Sequence, residues 1–181
     1  MGASPRPSAA TNETSARGLC PDARDDTRLS SGYQRAFTEF PGIQVLGSGI
    51  GNYQQVDARR VMEKFLTEHA EIDAVLSAND SMALGVLEAL KAANRTAIVI
   101  GINGILPAVR QIETGGMLAS VDFNMFKIGC TATRAAVRHL RKEPLPEKVM
   151  LPAEVIDKTN YKAWLVPVDQ RTCPEWGDVV R

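Results

Sequence analysis

Two short polar turns hold the residues of this chain best placed to do chemistry: Asn79-Asp80 and Asn103-Gly104. A third polar step, Asp122-Phe123-Asn124, follows the next apolar run. The stretch 72–104, IDAVLSANDSMALGVLEALKAANRTAIVIGING, reads as strand, turn, helix, strand, turn. Two parallel strands joined by a helix place both turns at the same edge of one sheet. Ligands of open α/β sheets bind at that edge, outside the carboxyl ends of the strands. There is no nucleophile elbow, no His–carboxylate pairing and no metal-ligand spacing, so an enzyme is the weakest of the functional readings. His69 and His139 both fall in polar helical contexts and read as solvated helix residues.

The elements that must position these turns follow from hydrophobic period. Ala74, Val75 and Leu76 form a run short enough for a strand buried on both faces. Asn79 or Asp80 then caps a helix whose apolar face is Ala83, Val86, Leu87 and Leu90. Asn94 stands where helix C-termini turn left-handed, and 97–100 is the next strand. Upstream, a helix is expected over 27–40, carrying Leu29, Tyr33, Ala36, Phe37 and Phe40 on one side. A strand at 43–46 leads into Gly47-Ser48-Gly49-Ile50-Gly51. This run lacks the GKS/GKT ending and a full GxGxxG pattern, so it reads as a tight turn rather than a phosphate cradle. Asn52 with Gln55 is expected to cap a helix over 53–70. Downstream come a helix over 106–113 ended by Gly115-Gly116, a strand at 118–121, and a helix over 126–141. An extended return over 149–156 and an aperiodic tail from 161 complete the chain. Strand and helix alternating at this rhythm predict an α/β fold with a doubly wound parallel sheet.

Composition narrows the function classes. The chain has 181 residues, 21 basic and 21 acidic, with zero formal net charge. It therefore carries no electrostatic footprint for nucleic acid or an anionic membrane. No apolar run approaches the roughly 18 residues of a membrane span. Cys20, Cys130 and Cys173 are odd in number and lack CxxC spacing. They predict neither a disulfide framework nor a zinc site, with a single pair left open. Residues 1–26 are rich in Ala, Ser, Thr, Arg, Asp and Pro without helix or strand period, and are expected to be disordered. No apolar h-region follows Met1, so the sequence shows no secretory signal.

Three runs together resemble the substrate-binding proteins of sugar ABC transporters, of the ribose/galactose-binding type. They are PGIQVLGSG (41–49), IDAVLSANDSMALGVLEALKAAN (72–94) and VIGINGILPAVRQIETGGMLASV (99–121). Family counterparts are an NDxxAxGxxxAL helix start, a GxDG strand end and AIxxGxLxATV leading into a hinge. The tail VIDKTNYKAWLVPVDQRTCPEW is similar to the carboxyl end of one transporter subgroup.

The resemblance implies a non-enzymatic module that traps a sugar between two lobes, needs no cofactor, and delivers it to ABC permease subunits. It implies that 27–123 is most of the second lobe, lacking its first, central strand. Residues 124–181 would be hinge, a first-lobe helix and tail. The family works in the periplasm, whereas a chain without a signal is expected to stay cytoplasmic. Unpaired strand edges left by the missing strand predict self-association, and the helix over 126–141 is expected to expose its apolar side.

Asn79 matches a family asparagine whose carboxamide bonds sugar hydroxyls, donating and accepting at once. Asn103 stands where most relatives carry an aspartate, which removes a charge-assisted bond and leaves sugar identity open. Phe123 matches a hinge position that is often glutamine. Its ring could stack on a sugar, or Asp122 and Asn124 could supply the polar contact. Arg28 matches an arginine before a GF pair, here Gly32-Tyr33 with one extra residue of spacing. Asp80 reads mainly as a cap, and Tyr53 as packing near the same edge. The alternative reading is the effector domain of a lactose-repressor-type regulator, which shares the fold but would bring a helix-turn-helix headpiece not visible here.

Overall fold

The computed structural model describes residues 17–22 and 27–179. Among these, a six-stranded sheet runs in the order β2-β1-β3-β4-β5-β6. Its strands are β1 (Arg17–Asp22), β2 (Gln44–Ile50), β3 (Ala74–Leu76), β4 (Ile98–Ile102), β5 (Ala119–Asp122) and β6 (Glu154–Ile156). The first five are parallel, and β6 returns antiparallel beside β5. Helices α1 (Thr27–Glu39), α2 (Gln55–Glu68), α3 (Asp80–Ala92) and α4 (Leu106–Thr114) join successive strands. This is the 2-1-3-4-5 order of a doubly wound sheet, so the expected α/β class is the one observed.

The central strand is present, which corrects the sequence reading. Arg17–Asp22, expected to be disordered, is β1 and lies between β2 and β3, with Leu19 opposite both Gly47 and Val75. RGLCPD has little intrinsic strand signal. Its position comes instead from the two flanking strands, whose backbone groups need partners on their inner edges. Because β1 fills that slot, the inward edges expected to drive self-association are paired. The rest of 1–26 lies outside the described residues.

The glycine run is a second correction. Gly47-Ser48-Gly49 continues β2 as strand, where a tight turn was expected. A Cβ on Gly49 would stand 2.3 Å from Val61 Cγ1 and 3.1 Å from Phe65 Cε2. Glycine there lets α2 lie directly on the strand. The expected Asn52/Gln55 cap is also absent: Gln54 occupies the cap position without a side-chain bond, and Asn52 Nδ2 instead donates to Asp57 Oδ2 at 2.9 Å.

The core lies where α2, α3 and α4 meet the sheet, around Met62, Val75, Val86, Val99, Val109 and Ile112. Asn94 takes the expected left-handed conformation, φ 52°. The next residue, Arg95, spans back to α2, donating to the carbonyls of Leu66, His69 and Ala70 at 2.8–3.1 Å. Gly115 ends α4 at φ 85°, as its position predicts.

Helix α5 (Met125–Leu140) is built differently. Among the described residues it buries Thr131 alone, and Leu140 is 81% exposed. The expectation of an uncovered apolar side holds. Its main attachment is a disulfide, Cys130–Cys173, with the Cα atoms 5.6 Å apart. The open possibility of one pair is thus realised across 43 residues. The bond fixes the tail beside α5, where Arg138 lies over the Trp176 ring of α6 (Trp176–Val179) at 5.1 Å and Arg134 pairs with Glu175 at 3.6 Å. Among the described residues no helix is long and apolar enough to cross a membrane.

Candidate functional site

The strand order reverses at β1, so the switch-point crevice opens between the carboxyl ends of β1 and β3. Tyr53 follows β2, Asn79 follows β3, Asn103 follows β4, and Phe123 follows β5. The sheet thus brings the expected polar turns to one edge. Arg28 lies in the first turn of α1, just after β1, and its side chain is outside the described residues.

Asn79 is the N-cap of α3. Its Oδ1 accepts from the Met82 N–H at 2.8 Å and its Nδ2 donates to the Tyr53 carbonyl at 3.2 Å. One amide therefore starts the helix and ties the loop after β2 to it. The ring of Tyr53 is 44% exposed beside it. The cap is Asn79 rather than Asp80, which is already the first residue of the helix.

Asp80 and Asp122 support the turns from beneath. Asp80 is 0% exposed; its Oδ1 accepts from Ser120 Oγ at 2.7 Å and its Oδ2 from the Ile105 N–H at 2.9 Å. Burial pushes its carboxyl above the ordinary carboxylate range, the bonds from Ser120 and Ile105 and the nearby Gly104 N–H pull it back, and Asp122 pushes it further up. Asp122 is equally committed: Oδ1 accepts from the Asn124 N–H at 2.6 Å and Oδ2 from Trp164 Nε1 at 2.8 Å. Asp80 is sealed from the open edge, whereas Asp122 also borders the cavity that holds Asn103.

Asn103 is half-buried, with φ 119°, and its N–H donates to the Val121 carbonyl at 2.9 Å. It lines a cavity of about 440 Å³ together with Asn124, Trp164, Arg171, Leu106 and Phe126. Phe123 points elsewhere. It lines an apolar groove of about 410 Å³ with Ile128, Ala132, Ala135, Met150 and Leu151. The structure therefore separates Phe123, whose ring the sequence offered as a sugar-stacking surface, from the cavity that holds Asn103. The aperiodic tail finds its surface here, since Trp164 docks on Asp122 and Arg171 donates to the Val166 and Trp164 carbonyls at 3.0 Å.

Sequence reasoning missed Ser120, Trp164 and Arg171 as contributors. Ser120 reads as an ordinary strand residue, and nothing in the period of 161–181 announces which aromatic meets Asp122. Among the described residues no three His, Cys, Asp or Glu side chains gather as a metal site. The edge offers the Asn79 and Asn103 amides, backbone groups and, around Asn103, the Trp164 ring and the Arg171 guanidinium, donors and acceptors that can bond polyhydroxyl compounds.

Comparison with known proteins agrees with this geometry. Residues 20–144 match the family described as "Periplasmic binding protein domain", a match that begins inside β1. The D-apiose import binding protein of Paraburkholderia graminis is 31% identical over 134 residues, covering 72% of this chain and 43% of the relative. A twin-arginine translocation pathway signal protein from Burkholderia phytofirmans superposes with TM-score 0.82 at 25% identity, covering 92% of this chain and 56% of that one. An ABC transporter solute binding protein from Bacillus halodurans with bound myo-inositol gives TM-score 0.78 at 25% identity, covering 85% and 55%. The chain spans about two fifths of the length of the curated relatives it matches. The chain belongs to the periplasmic binding protein domain family.

Proposed function

We propose that the chain carries one wall of the sugar-binding cleft of an ABC-type importer's receptor, taking a neutral sugar or cyclic polyol at the strand ends. The observation that carries this is the placement of Asn79 and Asn103 on adjacent strand ends at the switch-point edge. A carboxamide both donates and accepts, as each hydroxyl of a sugar does. The names of the relatives support the ligand class: one is called a D-apiose import binding protein, and another was solved with myo-inositol. Tyr53 offers a ring for the apolar face of a sugar, whereas Phe123 lies along the separate groove beside α5, and Arg28 lies at the start of α1 just after β1.

Residues 27–123, completed by β1, act as one lobe. The uncovered apolar side of α5 packs on the opposing lobe of a full-length receptor, and closure of the two lobes traps the sugar and presents it to permease subunits. The Cys130–Cys173 bond supports work in an oxidising compartment such as the periplasm. Names of relatives as binding proteins accord with a role without turnover.

Calorimetric titration of the chain with D-apiose, D-ribose and myo-inositol tests this. Saturable binding of at least one, weakened at least about tenfold by Asn103→Leu through loss of a desolvated polar partner, is expected. Absence of heat for all three up to millimolar concentration would contradict it.

A further inference from the structure

The buried carboxylate of Asp80 is the least accessible charged group of the polar edge, and it links three separate strand ends. It leaves the start of α3 after β3, meets Ser120 of β5, and meets the 103–105 turn after β4. Ser120 works in both directions. Its hydroxyl donates to Asp80 Oδ1 at 2.7 Å and accepts from the Gly104 N–H at 3.1 Å. The Ile105 N–H completes the set on Asp80 Oδ2 at 2.9 Å. Two successive backbone donors of the turn are thereby held by side chains from its two neighbouring strand units.

The turn needs such holding. Asn103 has φ 119° and Gly104 φ 67°, conformations that an L-residue at 103 adopts only when its surroundings impose them. A Cβ on Gly104 would stand 2.6 Å from Ile156 Cδ1 and 3.1 Å from Asp122 Cβ, so the backbone there is pressed against β5 and β6. Gly101 is similarly bare because a Cβ would lie 2.2 Å from Asp80 Oδ1. The Asp80 carboxylate fills the space that Gly101 leaves. Residue 79 is the other candidate ligand amide, and it is covalently adjacent to Asp80. The same dipeptide therefore caps α3 and fixes the neighbouring turn.

We infer that Asp80 and Ser120 are positioning residues that set the spacing between the Asn79 and Asn103 amides by locking the 103–105 turn to the start of α3. The inference rests on the proposed role of those two amides in holding a polyol. An aspartate is needed because two donors, a hydroxyl and an N–H, arrive on its two oxygens. Asparagine has a single acceptor oxygen and can satisfy one of them only. Ser120 is needed because its hydroxyl accepts and donates at once, which alanine and cysteine do not reproduce.

The test is amide hydrogen exchange by NMR on the full chain, in wild type, Ser120→Ala, Ser120→Thr and Asp80→Asn, each checked for retained circular dichroism. Reference amides are Ser77, bonded to the Ile100 carbonyl, and Leu118, bonded to the Val99 carbonyl. Loss of one net hydrogen bond predicts roughly tenfold faster exchange at Gly104 in Ser120→Ala. Asp80→Asn is expected to do the same at Ile105 or Gly104. The reference amides stay unchanged, and Ser120→Thr, which keeps the hydroxyl, returns Gly104 to near the wild-type rate. Unchanged exchange at 104 and 105, or equal acceleration at the reference amides, overturns the inference. A parallel titration with D-apiose, D-ribose and myo-inositol separates the two levels. If wild type binds none of them, the proposed function fails, and the assignment of a ligand role to the turn fails with it, whatever the exchange data show. If wild type binds and Ser120→Ala binds equally well despite faster exchange, positioning is refuted while the proposed function stands.

Discussion

Helices α3 and α5 are both amphipathic, and the molecule treats them in opposite ways. The 13-residue α3 buries seven side chains or glycines against the sheet and α2, whereas the 16-residue α5, among the described residues, buries one. The difference lies in what each helix meets. Glycines at 49 and 85 let α2 and α3 approach strand and helix backbone closely; a Cβ on Gly85 would stand 2.1 Å from the Gln55 carbonyl oxygen. Nothing comparable draws α5 inward. Among the described residues it is held by one covalent bond, by the Arg134 and Arg138 contacts to the tail, and at its start by Lys127, which pairs with Glu154 of β6 at 3.6 Å. An apolar face is therefore an instruction to bury, and it takes a complementary surface to carry the instruction out.

Breaking the covalent bond should widen this contrast most. A closed loop of 43 residues corresponds to about 4 kcal/mol of chain entropy at room temperature. Cys173→Ser, or treatment with a thiol reductant, is expected to release 168–179 from α5. Exchange mass spectrometry should show the tail losing protection while α3 keeps its own. Next comes a paired truncation. Met82→Ala removes a side chain at 0% exposure and should lower unfolding free energy by about 3 kcal/mol. Ile128→Ala, on the exposed side of α5 at 40%, should change it by less than about 0.5 kcal/mol. Denaturant melts of the two variants provide the check, and equal losses would erase the contrast.

Smaller effects test the polar edge. Asn79→Ala removes the cap of α3 and the bond to the Tyr53 carbonyl, and should cost about 1 kcal/mol by the same melts. The pH response should then split the molecule. Asp80's carboxyl is raised in the fold, so its contribution to stability is fully present at low pH and is lost as pH rises through the elevated value. Asp157, in the tail half, is lowered by the bonds from Thr159 and Asn160. Its contribution is present above the ordinary aspartate range and is lost as pH falls through the depressed value. Thermal melts across the acid range for Asp80→Asn and Asp157→Asn should therefore depart from wild type in opposite directions.

Much of the α/β half was legible because its signals are local. The Ala74–Leu76 run, the capping step at 79–80, Asn94 and the Gly115-Gly116 stop each act within a few residues, and each appears where expected. What was not legible depends on distant partners. RGLCPD becomes a central strand because β2 and β3 leave a slot for it. Gly47 and Gly49 stay in a strand because Phe65 and Val61 press on them. The Cys130–Cys173 pair and the Trp164–Asp122 bond join residues some forty positions apart, and no spacing rule anticipates them. At the site, the edge and its two amides were readable from the βαβ pattern. The separation of Phe123 from Asn103 was not, because successive strand residues face opposite ways and what lies beyond each face is set by α5 and the tail.

The most direct test of the central claim is a backbone-amide NMR titration of the chain with D-apiose, D-ribose and myo-inositol. The account predicts saturating shifts from one of them, concentrated at 52–54, 79–81 and 103–105 and weak in α5. Shifts centred on the groove beside α5, or none from any of the three, would contradict it.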